Sequence, residues 1–168
     1  NKVPENQKYP YSEGVRPIHD GIVIDHIGRG DDPVTIRKQI SQIIKVLNLD
    51  GLKGGEWVST SKREDNLFKG IIFRPGMREF TRKELKRLAA VAAGCTLNII
   101  RGGQVVEKYR THLPPRIYNF SDLSCNNEAC ISHPDQSEGA PAKFIRTEDN
   151  RYACEYCGRL HTYQEIWT

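Results

Sequence analysis

Much of what sorts a chain quickly into a class is missing here. No apolar run approaches the roughly 18 residues that read as a membrane span, so the expectation is a protein with no membrane partner. The opening, Asn1-Lys-Val-Pro-Glu-Asn-Gln-Lys8, has no apolar core of a signal peptide. It also lacks an initial Met, which leaves the true N-terminus open. There is no phosphate-binding P-loop, no GxGxxG and no Gly-x-Ser-x-Gly elbow. Internal repeats and low-complexity segments are absent too. What is present is ordinary for a soluble globular protein: 168 residues, 38% hydrophobic and 27% charged, enough for one medium domain or two small ones. The net charge of +4 and pI near 8.8 permit nucleic acid or small anions as partners without requiring either.

Four of the five cysteines fall in two pairs, Cys125-Asn-Asn-Glu-Ala-Cys130 and Cys154-Glu-Tyr-Cys157. Two short-spaced pairs joined by a loop of this order suit a tetrahedral Zn²⁺ with four thiolates, each pair gripping the ion from one turn. Four protein ligands leave no place for a reactive water, so one structural zinc ion per chain is expected. Two disulfides, or unrelated buried cysteines, are the other readings; disulfides need an oxidising compartment. Cys95 is left over, which fits a reduced interior and a cytoplasmic protein.

Residues 1–14, with Pro4, Pro10 and Gly14, read as a flexible N-terminal tail. Gly21-Ile-Val-Ile-Asp-His-Ile27 is a β-branched run suited to a strand buried on both faces. Asp25 and His26 interrupt it, as an edge exit or as a ligand contact, and burial statistics favour the edge. Pro33 starts a helix whose apolar positions Ile36, Ile40, Ile43, Ile44 and Leu47 repeat at helical spacing, with Asp50-Gly51 as its end. Glu56–Thr60 reads as a short strand and Leu67–Phe73 as a longer one, stopped by Pro75-Gly76. Thr81-Arg-Lys-Glu84 is a capping box, followed by Leu85, Leu88, Ala89 and Ala92 on one face and Gly94 at the end. Thr96–Ile100 and Gln104–Tyr109 form a hairpin across Arg101-Gly102-Gly103. Leu113-Pro114-Pro115 is stiff and extended, the natural boundary before the cysteine module.

The fold class expected is α+β: a split βαβ (ferredoxin-like) sandwich with two helices on one face of a mostly antiparallel sheet, then a small all-β zinc-ribbon-like domain. The first domain is assigned to residues 15–113 and the second to 114–168.

Catalysis finds little support. Cys95 has no cation beside it in sequence and reads as a small core residue. The histidines 19, 26, 112, 133 and 161 show no evident partner. Binding is the better reading, and the informative polar residues are Asp25, Asn98 and Lys108, each on an otherwise apolar strand. An Asp and an Asn can read ribose hydroxyls and a base edge, and a Lys can neutralise phosphate. The basic face Arg82, Lys83, Lys86 and Arg87 suits either nucleic acid or solvent, solvent being the commoner use. Acidic residues through the cysteine region, among them Glu128, Asp135, Glu148 and Glu155, argue against a zinc-ribbon nucleic-acid protein.

The run Gly21–Ile27, the strand 96–100, Val105-Val106 with Lys108, Leu113-Pro114, Arg116-Ile117 and Asn119 resemble the aspartate carbamoyltransferase regulatory chain. Cys125-x4-Cys130-Ile131-Ser132-His133 and Cys154-x-Tyr156-Cys157 resemble its zinc module. The resemblance runs from about residue 15 to 167. It implies a non-catalytic subunit of de novo pyrimidine biosynthesis that pairs with itself as a regulatory dimer, docks on the catalytic chain and bridges catalytic trimers. It also implies inhibition by CTP or UTP and activation by ATP, at a site lined by Ile18, Val23, Asp25, Asn98, Ile100, Val105 and Lys108. Two departures stand out. Where the family carries a second lysine in a Lys-Ile-Glu-Asn run, this chain is read as Phe73-Arg74-Pro75-Gly76, with Arg74 as a substitute if the register slips by one. A hairpin tyrosine is replaced by Gly103. The competing expectation is a structural subunit of the same assembly with lost or altered nucleotide control.

Overall fold

The structure is a computed structural model that describes residues 19–60, 66–77 and 79–167, together with the backbone of four short strands before them. Those strands are β1 (Lys2–Val3), β2 (Gln7–Lys8), β3 (Ser12–Glu13) and β4 (Arg16–Pro17). The chain separates into two compact units, residues 1–112 and 113–168.

The first unit follows with β5 (Gly21–Ile27), α1 (Pro33–Val46), β6 (Gly55–Thr60), β7 (Phe68–Pro75), α2 (Arg82–Val91), β8 (Thr96–Arg101) and β9 (Gln104–Arg110). One antiparallel sheet runs in the order β1-β9-β8-β5-β7-β6, with β2 also on β9. The segment read as a tail therefore lends backbone to the open edge of β9: Lys2 and Val3 pair with Tyr109 and Lys108, Gln7 and Lys8 with Val105 and Gln104. Composition carries no sign of this, because an exposed strand edge is satisfied by main-chain groups of any sequence.

Both helices cover one face of the sheet. Asp32 caps α1 by accepting from the Thr35 amide at 2.9 Å, Pro33 follows, and Ile36, Ile40 and Ile43 are buried. The helix ends earlier than Asp50-Gly51. Asn48 takes φ 53°, its amide bonds Lys45 O at 3.4 Å, and the Leu49 amide bonds Ile44 O at 2.9 Å. That is a Schellman closure with Asn in the left-handed position and Leu49 turned inward, fully buried. In α2 the capping box forms as expected, with the Glu84 amide on Thr81 Oγ1 and the Thr81 amide on Glu84 Oε1, both 3.1 Å. Its buried face is Leu88, Ala90 and Val91 with Ala92, while Leu85 and Ala89 are only half-buried. Gln39 Nε2 ties the helices together by donating to Val91 O at 3.0 Å. At Gly70 a Cβ would stand 2.8 Å from Ile36 Cγ2 and 2.9 Å from Ile40 Cδ1, so α1 rests directly on the β7 backbone. Strand alternation then puts Gly70, Ile72 and Arg74 on the helix side and Lys69, Ile71 and Phe73 on the other.

The second unit is a four-stranded antiparallel sheet, β10 (Arg116–Tyr118), β11 (Lys143–Arg146), β12 (Tyr152–Cys154) and β13 (Leu160–His161), in that order. Ile117, Leu123, Ala142, Phe144, Tyr152, Ile166 and Trp167 are buried in it, besides three of its cysteines. The proline segment is fastened at its start: the Arg146 amide bonds Pro115 O at 2.8 Å and the Tyr152 hydroxyl bonds Pro114 O at 2.7 Å.

Candidate functional site

Register decides which side chains share the helix-free face of the first sheet. In antiparallel strands directly paired residues point the same way. Val23 pairs with Asn98 and with Phe73, Asp25 with Thr96, Asn98 with Lys108, and Ile100 with Val105. Val23, Asp25, Asn98, Ile100, Val105 and Lys108 consequently lie on one face. The last two need a device to do so, being three residues apart on one strand. The register shift between Ile99 and Ile100 supplies it by bulging one residue out of the ladder. Ile18 lies outside the described residues. All of the others except half-buried Lys108 are buried.

Three residues that sequence reading did not assign to the site join them. Lys69 Nζ sits 3.0 Å from Asp25 Oδ1 and 3.2 Å from Oδ2, with both residues nearly fully buried. His26 bends out of the strand at φ 59°, its amide donating to Asp25 Oδ1 at 2.7 Å and its Nδ1 within 3.2 Å of Thr96 Oγ1. Burial holds the His26 imidazole below its ordinary pKa, the neighbouring Asp25 opposing that and Lys69 adding to it. The signal for Lys69 was its even spacing from Ile71 and Phe73, two and four residues on, which puts it on their side of a strand. Tertiary pairing alone puts it beside Asp25.

Arg74 is not the substitute cation that a slipped register would make it. It lies on the helix side, buried, where Nε donates to Leu49 O at 3.1 Å and Nη1 donates to Phe73 O at 2.8 Å and Gly55 O at 3.3 Å, with Glu56 Oε2 at 3.2 Å. Its work is to clasp the 49–56 connection to β7. Phe73 does share the face of interest. It packs on Val23, Ile71, Ile100 and Val105 and meets Trp57 edge-on at 5.5 Å. Gly103 occupies the β8–β9 turn at φ 76°, its amide bonded to His19 O at 2.8 Å. Asn98 Nδ2 reaches Val23 O at 3.5 Å, the limit of a hydrogen bond.

In the second unit the four cysteine sulfurs of residues 125, 130, 154 and 157 all lie within 4.8 Å of one another. Cys125 and Cys157 sulfurs are 3.6 Å apart, and Cys130 and Cys154 sulfurs 3.7 Å. Four thiolates at about 2.3 Å from a tetrahedral ion stand about 3.8 Å from one another, so the donor set fits a thiolate-bound metal. Cys125, Cys130 and Cys154 are buried and Cys157 is exposed. Without a metal, burial pushes the Cys125 thiol up to about 12 and raises Cys154 as well. At Cys157 burial also acts upward, yet the Arg159 amide, the Asn127 side chain and the neighbouring sulfurs bring it down to about 7. A metal entering this cluster must displace protons.

Among the described residues no helix is long and apolar enough to cross a membrane. Cys95, the remaining cysteine, is fully buried and pushed up to about 12 by that burial, against a bond from Thr111. It is a packed core residue with no nucleophilic character.

The family model of the aspartate carbamoyltransferase regulatory chain, allosteric domain, matches residues 13–112, and that of its metal binding domain matches 115–167. Protein PyrBI of Treponema denticola is 64% identical over 167 residues, 99% of this chain and 31% of that protein. Protein PyrBI of Thermotoga maritima is 43% identical over 155 residues, 92% of this chain and 29% of its own length. The chain thus spans less than a third of the length of either relative. An aspartate carbamoyltransferase regulatory chain of Methanococcus maripaludis is 30% identical over 148 residues, 87% of this chain and 90% of that one. With both halves matched in order, the chain belongs to the aspartate carbamoyltransferase regulatory chain family.

Proposed function

We propose that this chain is a non-catalytic regulatory module of a cytoplasmic aspartate carbamoyltransferase. Its first domain, residues 15–113, binds nucleotide effectors and pairs with a second copy. Its second domain, residues 114–168, carries one structural Zn²⁺ on Cys125, Cys130, Cys154 and Cys157 and docks on the catalytic chain, so that regulatory dimers bridge catalytic trimers. CTP and UTP inhibit and ATP activates. The supporting observation is the helix-free sheet face, where buried Asp25 and Lys69 stand with Asn98, Lys108 and the apolar Val23, Ile100 and Val105. In this reading the lysines receive phosphate oxygens, Asp25 a ribose hydroxyl and Asn98 the polar edge of the base, while the apolar residues carry its flat face. Ile18, which the family resemblance adds to this site, lies outside the described residues. Because Lys69 is bonded to Asp25, a phosphate must compete with that carboxylate, which makes binding an exchange of partners. Zinc, bound by four thiolates, supplies structural cross-linking at its cluster and no reactive water.

A second reading, a structural bridge without nucleotide control, is favoured by one observation. Phe73 already packs on the apolar end of the same face. Calorimetric titration of the zinc-loaded protein with CTP and then ATP separates the two. Heat with a micromolar-to-millimolar dissociation constant, weakened by Lys108→Ala, supports the allosteric module. Silence with both nucleotides at two temperatures supports the bridge.

A further inference from the structure

His161 belongs to neither cysteine pair, and its imidazole touches the turns that carry both. The Asn126 amide, next to Cys125, donates to His161 Nε2 at 3.1 Å. On the other side of the ring, Nδ1 lies 3.0 Å from Arg159 O, two residues past Cys157. That same carbonyl accepts the Cys154 amide at 3.0 Å. The ring is 1% exposed and meets the edge of Phe144 at 5.2 Å, with the planes at 77°. An amide can only donate and a carbonyl can only accept, so both contacts are hydrogen bonds only for a neutral imidazole with its proton on Nδ1.

We propose that His161 is a positioning residue of the metal centre, a cross-tie that holds the Cys125 turn and the Cys154–Cys157 turn at ligand distance without itself touching the ion. The proposal rests on the four-cysteine metal reading. Its physical basis is that the two cysteine pairs come from turns far apart in sequence. Sulfur positions must agree within a few tenths of an ångström for tetrahedral binding. A flat, two-ended, fully packed ring fixes the separation of those turns by two bonds of opposite sense, and groups that orient ligands in this way typically alter metal affinity by about 10- to 100-fold.

The test uses the full chain loaded with zinc, with metal content measured first. His161→Phe keeps a flat aromatic ring, somewhat larger, and removes both nitrogens; Ile117→Val is a plain core change on β10. His161→Phe is expected to pass zinc to a chromogenic chelator about tenfold faster than wild type and to shift the visible spectrum of the cobalt-substituted protein, with Ile117→Val doing neither. Equal release rates for the two variants would overturn the proposal. Should His161→Phe fail to fold, ¹⁵N NMR of the wild-type imidazole decides. Protonated Nδ1 with an exchange-protected Asn126 amide supports the cross-tie, and protonated Nε2, which cannot accept, removes it. Wild-type protein that binds no zinc would overturn the metal reading and this proposal together, whereas a zinc-loaded wild type with the wrong tautomer overturns this one alone.

Discussion

Residues 1–112 surround one sheet with long aliphatic side chains, Ile22, Ile24, Ile27, Ile36, Ile43, Ile72, Leu88 and Leu97 all fully buried. Residues 113–168 bury few such chains and instead gather four sulfurs, with Phe144, Tyr152, Ile166 and Trp167 also buried. Size explains the difference. A unit of some 60 residues or fewer hides a smaller share of its surface, and a cluster of metal-ligating cysteines is one way such units make up the deficit. The larger unit can afford polar residues at buried positions, and it places Asp25, Lys69 and Asn98 there. One unit thus sets polar residues within a large aliphatic core; the other gathers four cysteine sulfurs in place of such a core.

That contrast can be broken most sharply at Cys154. Cys154→Ser is expected to release the metal and melt residues 120–168, because binding and folding of such modules are coupled at about 10–16 kcal/mol. Differential scanning calorimetry would show the second unit's transition lost and the first unit's retained; zinc content and melting both unchanged would refute the contrast. Acid should do the same by degrees. The metal-free thiols of Cys125 and Cys154 hold their protons more tightly than an ordinary cysteine. Protons therefore compete with the metal, and apparent affinity rises with pH and falls on acidification, measurable by chelator competition between pH 6 and 8.

In the first unit the largest single effect is expected at Lys69. Lys69→Ala leaves the Asp25 carboxylate buried without its cation and should cost about 3–5 kcal/mol in urea unfolding, with zinc content untouched. The pair Asp25→Asn, Lys69→Met should recover much of that loss, since two neutral groups need no counter-charge. Leu97→Ala removes a fully buried side chain and should cost about 2–5 kcal/mol, again without zinc loss. Loss of metal from either variant would mean that the two units do not stabilise themselves separately. The smallest effect is at the α2 cap, where Thr81→Ala should cost about 1 kcal/mol.

What could be read in advance followed chemistry that is local in sequence. The capping box of Thr81 and Glu84 satisfies amides three residues away, and so it announces itself in four letters. The apolar period of α1 and the spacing of the cysteine pairs are legible for the same reason. Asp50-Gly51 is the familiar helix stop, yet the chain closes α1 at Asn48, because Asn also tolerates the left-handed turn. For the candidate site, polar letters inside apolar strands marked Asp25, Asn98 and Lys108, because a desolvated polar group stands out against its neighbours.

By itself, then, the sequence determined the order of elements from Gly21 to Arg110, the helix starts and the cysteine donor set, all matters of spacing along one chain. Tertiary structure alone decided which faces those residues share. Strand register put Lys69 against Asp25 and sent Arg74 to the opposite side to hold the 49–56 connection. A one-residue bulge brought Val105 and Lys108 to the same face. Folding of the second sheet carried His161 to both cysteine turns. The physical reason is common to all three. A strand's side chains alternate with a period of two, so a shift of a single residue reverses every face, and the shift is set by the partner strand rather than by the strand's own letters.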